Sequence, residues 1–173
     1  AEKMKLLNYL DARGSVIINQ DDPLLRKIPV AQKTIKKISC SKELAANFKA
    51  QEICIQRFSS LTFKVNKESF QIKTLAQHNI SNALSAIACG RMFGVGYRQI
   101  YNSLKKFKFP PGRFGLKKIG KIKVLDDTYN SNPTSFKQAI ESVHQLKVKG
   151  NKVIVCADML ELGAGEKDFH AIV

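Results

Sequence analysis

The sequence predicts an α/β chain in two parts: strands, an antiparallel meander and helices come first, and the opening of a Rossmann-like parallel sheet follows. Three observations predict it. Segments 50–57, 62–66 and 70–74 alternate apolar and polar residues between turns, which is the period of a half-buried antiparallel sheet. Residues 78–93 instead repeat Ile80, Leu84, Ile87 and Ala88 at helical spacing, so they predict an amphipathic helix. After Phe109-Pro110-Pro111-Gly112-Arg113-Phe114-Gly115 the order becomes strand (Ile122–Asp126), helix (133–146), strand (153–156), helix (166–173). That alternation is the signature of a doubly wound parallel sheet. The Pro/Gly-rich stretch 109–115 therefore reads as a linker between residues 1–108 and 116–173.

The other elements follow in order. Residues 2–12 predict a helix with Leu6, Leu7 and Leu10 as its apolar stripe, and Gly14 is placed to cap it. Ser15–Asn19 is a short buried strand, Asp21-Asp22-Pro23 a turn or helix start, and Lys36–Ser41 a further strand. Residues 97–107 form a second helix, set off from the first by Gly94 and Gly96. No capping residue precedes the first helix, and no Gly or Pro stops the last one. Both ends are thus expected to continue into a longer protein.

Composition narrows the class. The chain has 173 residues, 44% hydrophobic and 25% charged, which are globular values that exclude collagen-like, coiled-coil and disordered classes. No apolar run approaches the roughly 20 residues of a membrane span, and Glu2, Lys3 and Lys5 stand where a signal peptide would be apolar. Cys40, Cys54, Cys89 and Cys156 include no CxxC pair, so zinc is not expected; buried free thiols in a reducing cytoplasm are. The formal charge of +15 comes from 23 Lys and 6 Arg, scattered without a run of five like charges. A nucleic-acid footprint would be a clustered stripe with aromatics. Scattered lysine fits a solvated surface and an anionic small ligand such as a nucleotide. A stand-alone basic module for nucleotides or RNA is the alternative from another class, and a steep salt dependence of binding would mark it.

Four constellations could carry chemistry. Asp126 and Asp127 end a strand before the polar loop Thr128-Tyr129-Asn130-Ser131, and Asn132-Pro133 opens a helix. Ligands of open α/β sheets bind at such carboxyl ends, where a carboxylate can accept both ribose hydroxyls; the plainer reading is a solvated turn. His78, Asn79 and Asn82 begin a helix, and Asn79 and Asn82 share a face. An Asn amide matches the N6/N7 edge of adenine, although His78 or Asn79 could simply cap the helix. Arg113 in the linker could clamp a phosphate or be one surface arginine among many. Asp158-Met159-Leu160-Glu161 follows a strand, and its two acids could shape a substrate loop, or Met159 and Leu160 could merely pack under the next helix. No GxxxxGK[ST] phosphate loop and no GxGxxG after a strand occur in the sequence.

Taken in succession, NxDDP (from Asn19), HNxxNALxAIA (from His78), GRF (from Gly112), LDDxYNxNPxS (from Leu125) and DMLELG (from Asp158) resemble the Mur ligases of peptidoglycan synthesis. The last two motifs resemble most the branch that adds D-alanyl-D-alanine to UDP-N-acetylmuramoyl-tripeptide. The resemblance spans essentially the whole chain. It implies the later part of a central ATPase domain and the start of a C-terminal ligase domain, with the phosphate loop upstream. The text departs at Ala76-Gln77 and Ala157, where the family usually carries a Gly.

Residue by residue, the resemblance implies adenine binding by Asn79 and Asn82 with His78 beside them. Arg113 would reach the ATP phosphates and Asp127 the ribose. Tyr129, Asn130 and Asn132 belong to the same signature as a substrate loop. Asp158 and Glu161 would face the acceptor, and His170 falls at the family's spacing after that loop. Lys3 would be carbamoylated and would help hold Mg²⁺ through its carbamate, with Lys5 as rival. The implied reaction is ATP-dependent amide ligation through an acyl phosphate in a cytoplasmic, monomeric enzyme, without nucleic-acid or membrane partners. Other Mur ligases and folylpolyglutamate synthases share the ATP site. This chain alone, without a phosphate loop, is expected to be inactive.

Overall fold

A computed structural model describes residues 2–11, 13–27, 36–56 and 58–171, and of residues 2–4 and 36–39 the backbone only. Glu2–Tyr9 is a 3-10 helix, shorter and tighter than the helix expected over 2–12. Its stripe is poorly used, since Leu6 is 68% exposed.

Strand β1 (Ser15–Asn19), the single helical turn α1 (Pro23–Arg26), β2 (Lys36–Ser41) and β3 (Phe48–Lys49) follow. The Asp22 carboxylate accepts from the N–H groups of Leu24 and Leu25, and Pro23 opens the turn. β1, β2 and β3 pair in parallel, in that order. At their carboxyl ends the Asp21 carboxylate accepts from Ser41 Oγ–H and from Lys42 N–H at 2.8 Å. Burial would raise the Asp21 pKa, but these hydrogen bonds prevail and hold it below the usual carboxylate value.

The expected meander forms from β4 (Gln51–Gln56), β5 (Ser60–Val65) and β6 (Glu68–Ile72), all antiparallel. Period two decides its faces: Leu61, Phe63 and Val65 are buried, and so are Phe70 and Ile72 opposite them. Phe63 and Phe70 stack at 5.8 Å between centroids. Helix α2 (Asn79–Met92) lays Ile80, Leu84, Ile87 and Ala88 into the same core, as its periodicity predicts. Helix α3 (Tyr97–Lys106) adds Ile100, with Tyr97 edge-on to Phe70.

The structure departs from expectation in three places. First, the linker region runs directly into a strand, β7 (Gly115–Ile119), which pairs antiparallel with β8 (Ile122–Asp126). A two-residue loop joins them, and Gly120 takes its φ of +57° without a Cβ penalty. Second, 153–156 forms no strand. Val153 and Val155 are 79% and 94% exposed, because no neighbouring strand among the described residues pairs with them. The only parallel sheet of the described residues is therefore β1–β3, in the first part. Third, Cys40 is buried, but Cys54, Cys89 and Cys156 are exposed, correcting the expectation of buried thiols. Cys54 shares the outward face of β4 with Glu52 and Gln56.

Helix α4 (Pro133–Gln145) starts at Asn132, whose Oδ1 accepts from Ser135 N–H at 2.9 Å while Ser135 Oγ accepts from Asn132 N–H. The last helix, α5, covers Glu166–Ala171. A second hydrophobic cluster joins the two parts. Leu75 and Ala76, just after β6, pack with Phe114 and Leu146, and Leu125, Ala139 and Val143 lean on them. Gln77 Nε2–H donates to Gln145 Oε1 across the same seam. No helix among the described residues is long and apolar enough to cross a membrane.

Candidate nucleotide site

Three predicted elements meet at this seam: the start of α2, the turn 112–114 and the carboxyl end of β8. The first residue of α2, Asn79, is buried. Its Nδ2–H donates to Thr74 Oγ1 at 3.4 Å, and its Oδ1 accepts from Asn82 Nδ2–H at 3.0 Å. Asn79 is thereby committed to protein partners. One turn on, Asn82 is exposed and its own carbonyl oxygen is not engaged by the described residues. Of the two expected adenine contacts, Asn82 is the one that faces outward, and Asn79 fixes its amide.

His78 does not cap the helix, since no side-chain hydrogen bond links it to the first turn. Its ring stands edge-on to Phe114 at 6.3 Å, and its buried Nδ1 has no hydrogen-bond partner among the described residues. Burial lowers the His78 pKa below the usual histidine value; Asp127 pulls it up and Lys42 pushes it further down.

The two acids of β8 separate. Asp126 accepts from Lys117 Nζ at 2.6 Å and from Thr128 Oγ1–H at 2.7 Å, and the first of these contacts leads in lowering its pKa. Asp127 turns to the seam. One of its oxygens accepts from Phe114 N–H at 3.0 Å. Burial raises its pKa and outweighs the opposing pull of His78, Phe114 N–H and Arg113. An anion that is half-desolvated and only partly satisfied is suited to accept from ligand hydroxyls.

Glycine shapes the turn. Gly112 has φ +72°, and a Cβ there would stand 2.8 Å from Tyr129 N. The close approach lets Tyr129 N–H donate to Gly112 O at 3.1 Å. The Arg113 guanidinium then lies over the Tyr129 ring at 4.0 Å from its centroid. Phe114 holds φ +55°, a strained value for a side chain of this size, secured by its buried ring and by its N–H on Asp127.

The remaining expected residues lie apart. Asn130 Oδ1 accepts from Ser131 N–H, and Asn132 is spent as the α4 cap. Asp158 is exposed, Glu161 takes φ +62°, and Met159 between them is buried. His170 contacts that loop, which sequence reasoning could not specify, because the partners are 11 residues apart. The Lys3 side chain lies outside the described residues. Among the described residues no group of three or more His, Cys, Asp or Glu is placed to hold a metal ion.

Two family models match the chain. The Mur ligase middle domain matches residues 1–90, and the Mur ligase glutamate ligase domain matches residues 112–173. The chain belongs to the Mur ligase family. Among curated relatives, this Mur ligase chain is 31% identical over 169 residues to the UDP-N-acetylmuramoyl-tripeptide--D-alanyl-D-alanine ligase of Bacillus subtilis (strain 168), covering 97% of the chain and 36% of that protein. It is 36% identical over 98 residues to the ligase of the same description from Escherichia coli (strain K12), covering 56% of the chain and 21% of that protein. Among solved structures, MurF from Acinetobacter baumannii superposes with a TM-score of 0.83 at 27% identity, covering 97% of this chain and 37% of the other. MurF from Thermotoga maritima in complex with ADP gives 0.81 at 25%, covering 97% and 39%. The chain thus spans little more than a third of the length of these relatives.

Proposed function

We propose that this chain is the nucleotide-side portion of a cytoplasmic, monomeric ATP-dependent ligase that adds D-alanyl-D-alanine to UDP-N-acetylmuramoyl-tripeptide in peptidoglycan precursor synthesis. The observation that carries the reading is the separation of the two acids: Asp126 is held by Lys117 and Thr128, while Asp127 accepts from Phe114 N–H at the turn 112–114, beside His78. ATP would supply the phosphoryl group that converts the tripeptide's terminal carboxylate into an acyl phosphate, which the amine of D-alanyl-D-alanine then attacks. The tetrahedral adduct collapses to the amide and releases phosphate.

The chain's own residues bind and orient. Asn82 offers its free carbonyl to the exocyclic amine of adenine, held by Asn79. The second Asp127 oxygen accepts from the ribose hydroxyls. Arg113 leaves the Tyr129 ring to meet phosphate oxygens, where a guanidinium makes bidentate contacts. Residues 109–115 act as the linker between 1–108 and 116–173, and its closure excludes water that would hydrolyse the acyl phosphate. Asp158 and Glu161 face the amine acceptor, and Tyr129 and Asn130 line the approach. The same family expectation extends to Mg²⁺, which a carbamate on Lys3 would help hold and which would offset charge on the transferring phosphoryl group.

The test is phosphate release by the full-length protein with ATP, the UDP-linked tripeptide and D-alanyl-D-alanine. Asp127→Ala is expected to raise KM for ATP about tenfold, the scale of one charge-assisted hydrogen bond, with KM for D-alanyl-D-alanine unchanged. A full-length protein that releases no phosphate with these three substrates overturns the reading.

A further inference from the structure

His170 lies outside the nucleotide site, on α5, and both of its ring nitrogens are engaged. Met159 N–H donates to His170 Nε2 at 2.8 Å. On the other side of the ring, Nδ1 stands 2.9 Å from the Glu166 carbonyl oxygen. An imidazole nitrogen that accepts from an N–H carries no proton, so the proton sits on Nδ1 and is donated to Glu166 O. One neutral tautomer therefore bridges α5 and the loop of Asp158 to Glu161. The grip falls on backbone: it fixes Met159, whose side chain is buried, and leaves the carboxylates on either side outward. Asp158 Oδ1 lies 3.9 Å from Nε2, beyond hydrogen-bond distance. The loop then turns through Glu161 at φ +62° and Gly163 at φ +67°, so an anchor on Met159 sets where both acids project.

We propose that His170 is a positioning residue for the amine acceptor: its Nε2 holds the Met159 backbone and thereby fixes Asp158 and Glu161 for the ammonium group of the incoming D-alanyl-D-alanine. The assignment rests on the function proposed above for its acceptor. The geometry of the bridge does not.

Two near-isosteric variants of the full-length protein separate a positioning role from a merely structural one. Gln at 170 places a polar atom near the Nε2 position and can still accept from Met159 N–H. Asn reaches only the Nδ1 position, so it keeps the Glu166 contact and abandons Met159. His170→Asn is expected to speed hydrogen exchange of the Met159 amide about tenfold. It should also raise KM for D-alanyl-D-alanine about tenfold, with KM for ATP and kcat within about twofold of the parent. His170→Gln is expected to restore both readouts. Unchanged Met159 exchange in His170→Asn, parallel shifts in both KM values, or failure of Gln to recover what Asn loses each overturn the proposal. If the parent transfers no D-alanyl-D-alanine, the assigned acceptor falls with the function above; faster exchange in Asn and not in Gln would still support the bridge, and equal exchange in both would sink it.

Discussion

At the scale of single residues, the seam is built from groups kept in unfavourable protonation or conformational states. His78 is the clearest case. Burial lowers its pKa in the folded chain, so the unfolded chain takes up a proton more readily. Its contribution to stability is present above the ordinary histidine value of about 6.5 and is lost as pH falls through the lower folded value. Asp127 has the opposite sign: its raised pKa favours the folded state below the ordinary carboxylate range, and that contribution is lost as pH rises through the folded value. Thermal melts from pH 7 to pH 5 should therefore fall more steeply for the parent than for His78→Gln. The difference is bounded by about 1.4 kcal/mol per pH unit for one proton; equal slopes would show that His78 is not the buried neutral base described. Asn79 supplies a second test at this scale. Asn79→Ala removes the hydrogen bonds that its buried amide makes to Asn82 and to Thr74 Oγ1, which keeps its bond from Ala76 N–H, so denaturant titration should show a loss of about 1 kcal/mol, above that of a surface Asn.

At the scale of elements, the turn 112–114 and helix α2 answer to different physics. Gly112→Ala meets both a positive φ and a Cβ placed against the Tyr129 backbone. It should lower stability by about 1–3 kcal/mol and displace Tyr129 from beneath Arg113, which the tyrosine ring shifts in NMR would report. Leu84→Ala on α2 opens a cavity in the main core and should cost about 2–5 kcal/mol in denaturant titration, without moving the seam. The contrast explains what was legible in the sequence. α2, the meander and the Asn132 cap are local patterns, and they were readable because period and capping chemistry act within a few residues. β7 was hidden by a Gly at its start that read as linker, although Ile119-Gly120-Lys121-Ile122 carries the mark of a two-residue hairpin loop. The opposite error at 153–156 has an equally physical cause: an apolar run reports a capacity for burial, whereas a strand needs a hydrogen-bonding neighbour. Within the candidate site, the sequence offers the residue types at 78, 82, 113 and 127. The inward turn of Asn79 and the His170 bridge were not, because they depend on partners that folding alone brings near.

At the scale of the whole molecule, the decisive feature is the second hydrophobic cluster, which makes the two parts share a core. Leu146 belongs to the second part but is buried against Leu75 and Ala76 of the first. The parent should therefore melt in one transition, and Leu146→Ala should resolve two in calorimetry, because the shared packing that couples the parts is what it removes. A single cooperative melt in that variant would mean that the seam contributes little to the coupling. The stacking of Arg113 on Tyr129 has a consequence of another kind, one of timing. A guanidinium resting on an aromatic shelf beside Asp127 needs only a change of side-chain rotamer to leave it, an event of picoseconds to nanoseconds. Movement of one part against the other across a shared core belongs to microseconds or longer. On the proposed reading, the arginine is already waiting when the nucleotide arrives, and the clock of each turnover is set by the slower swing of backbone around it.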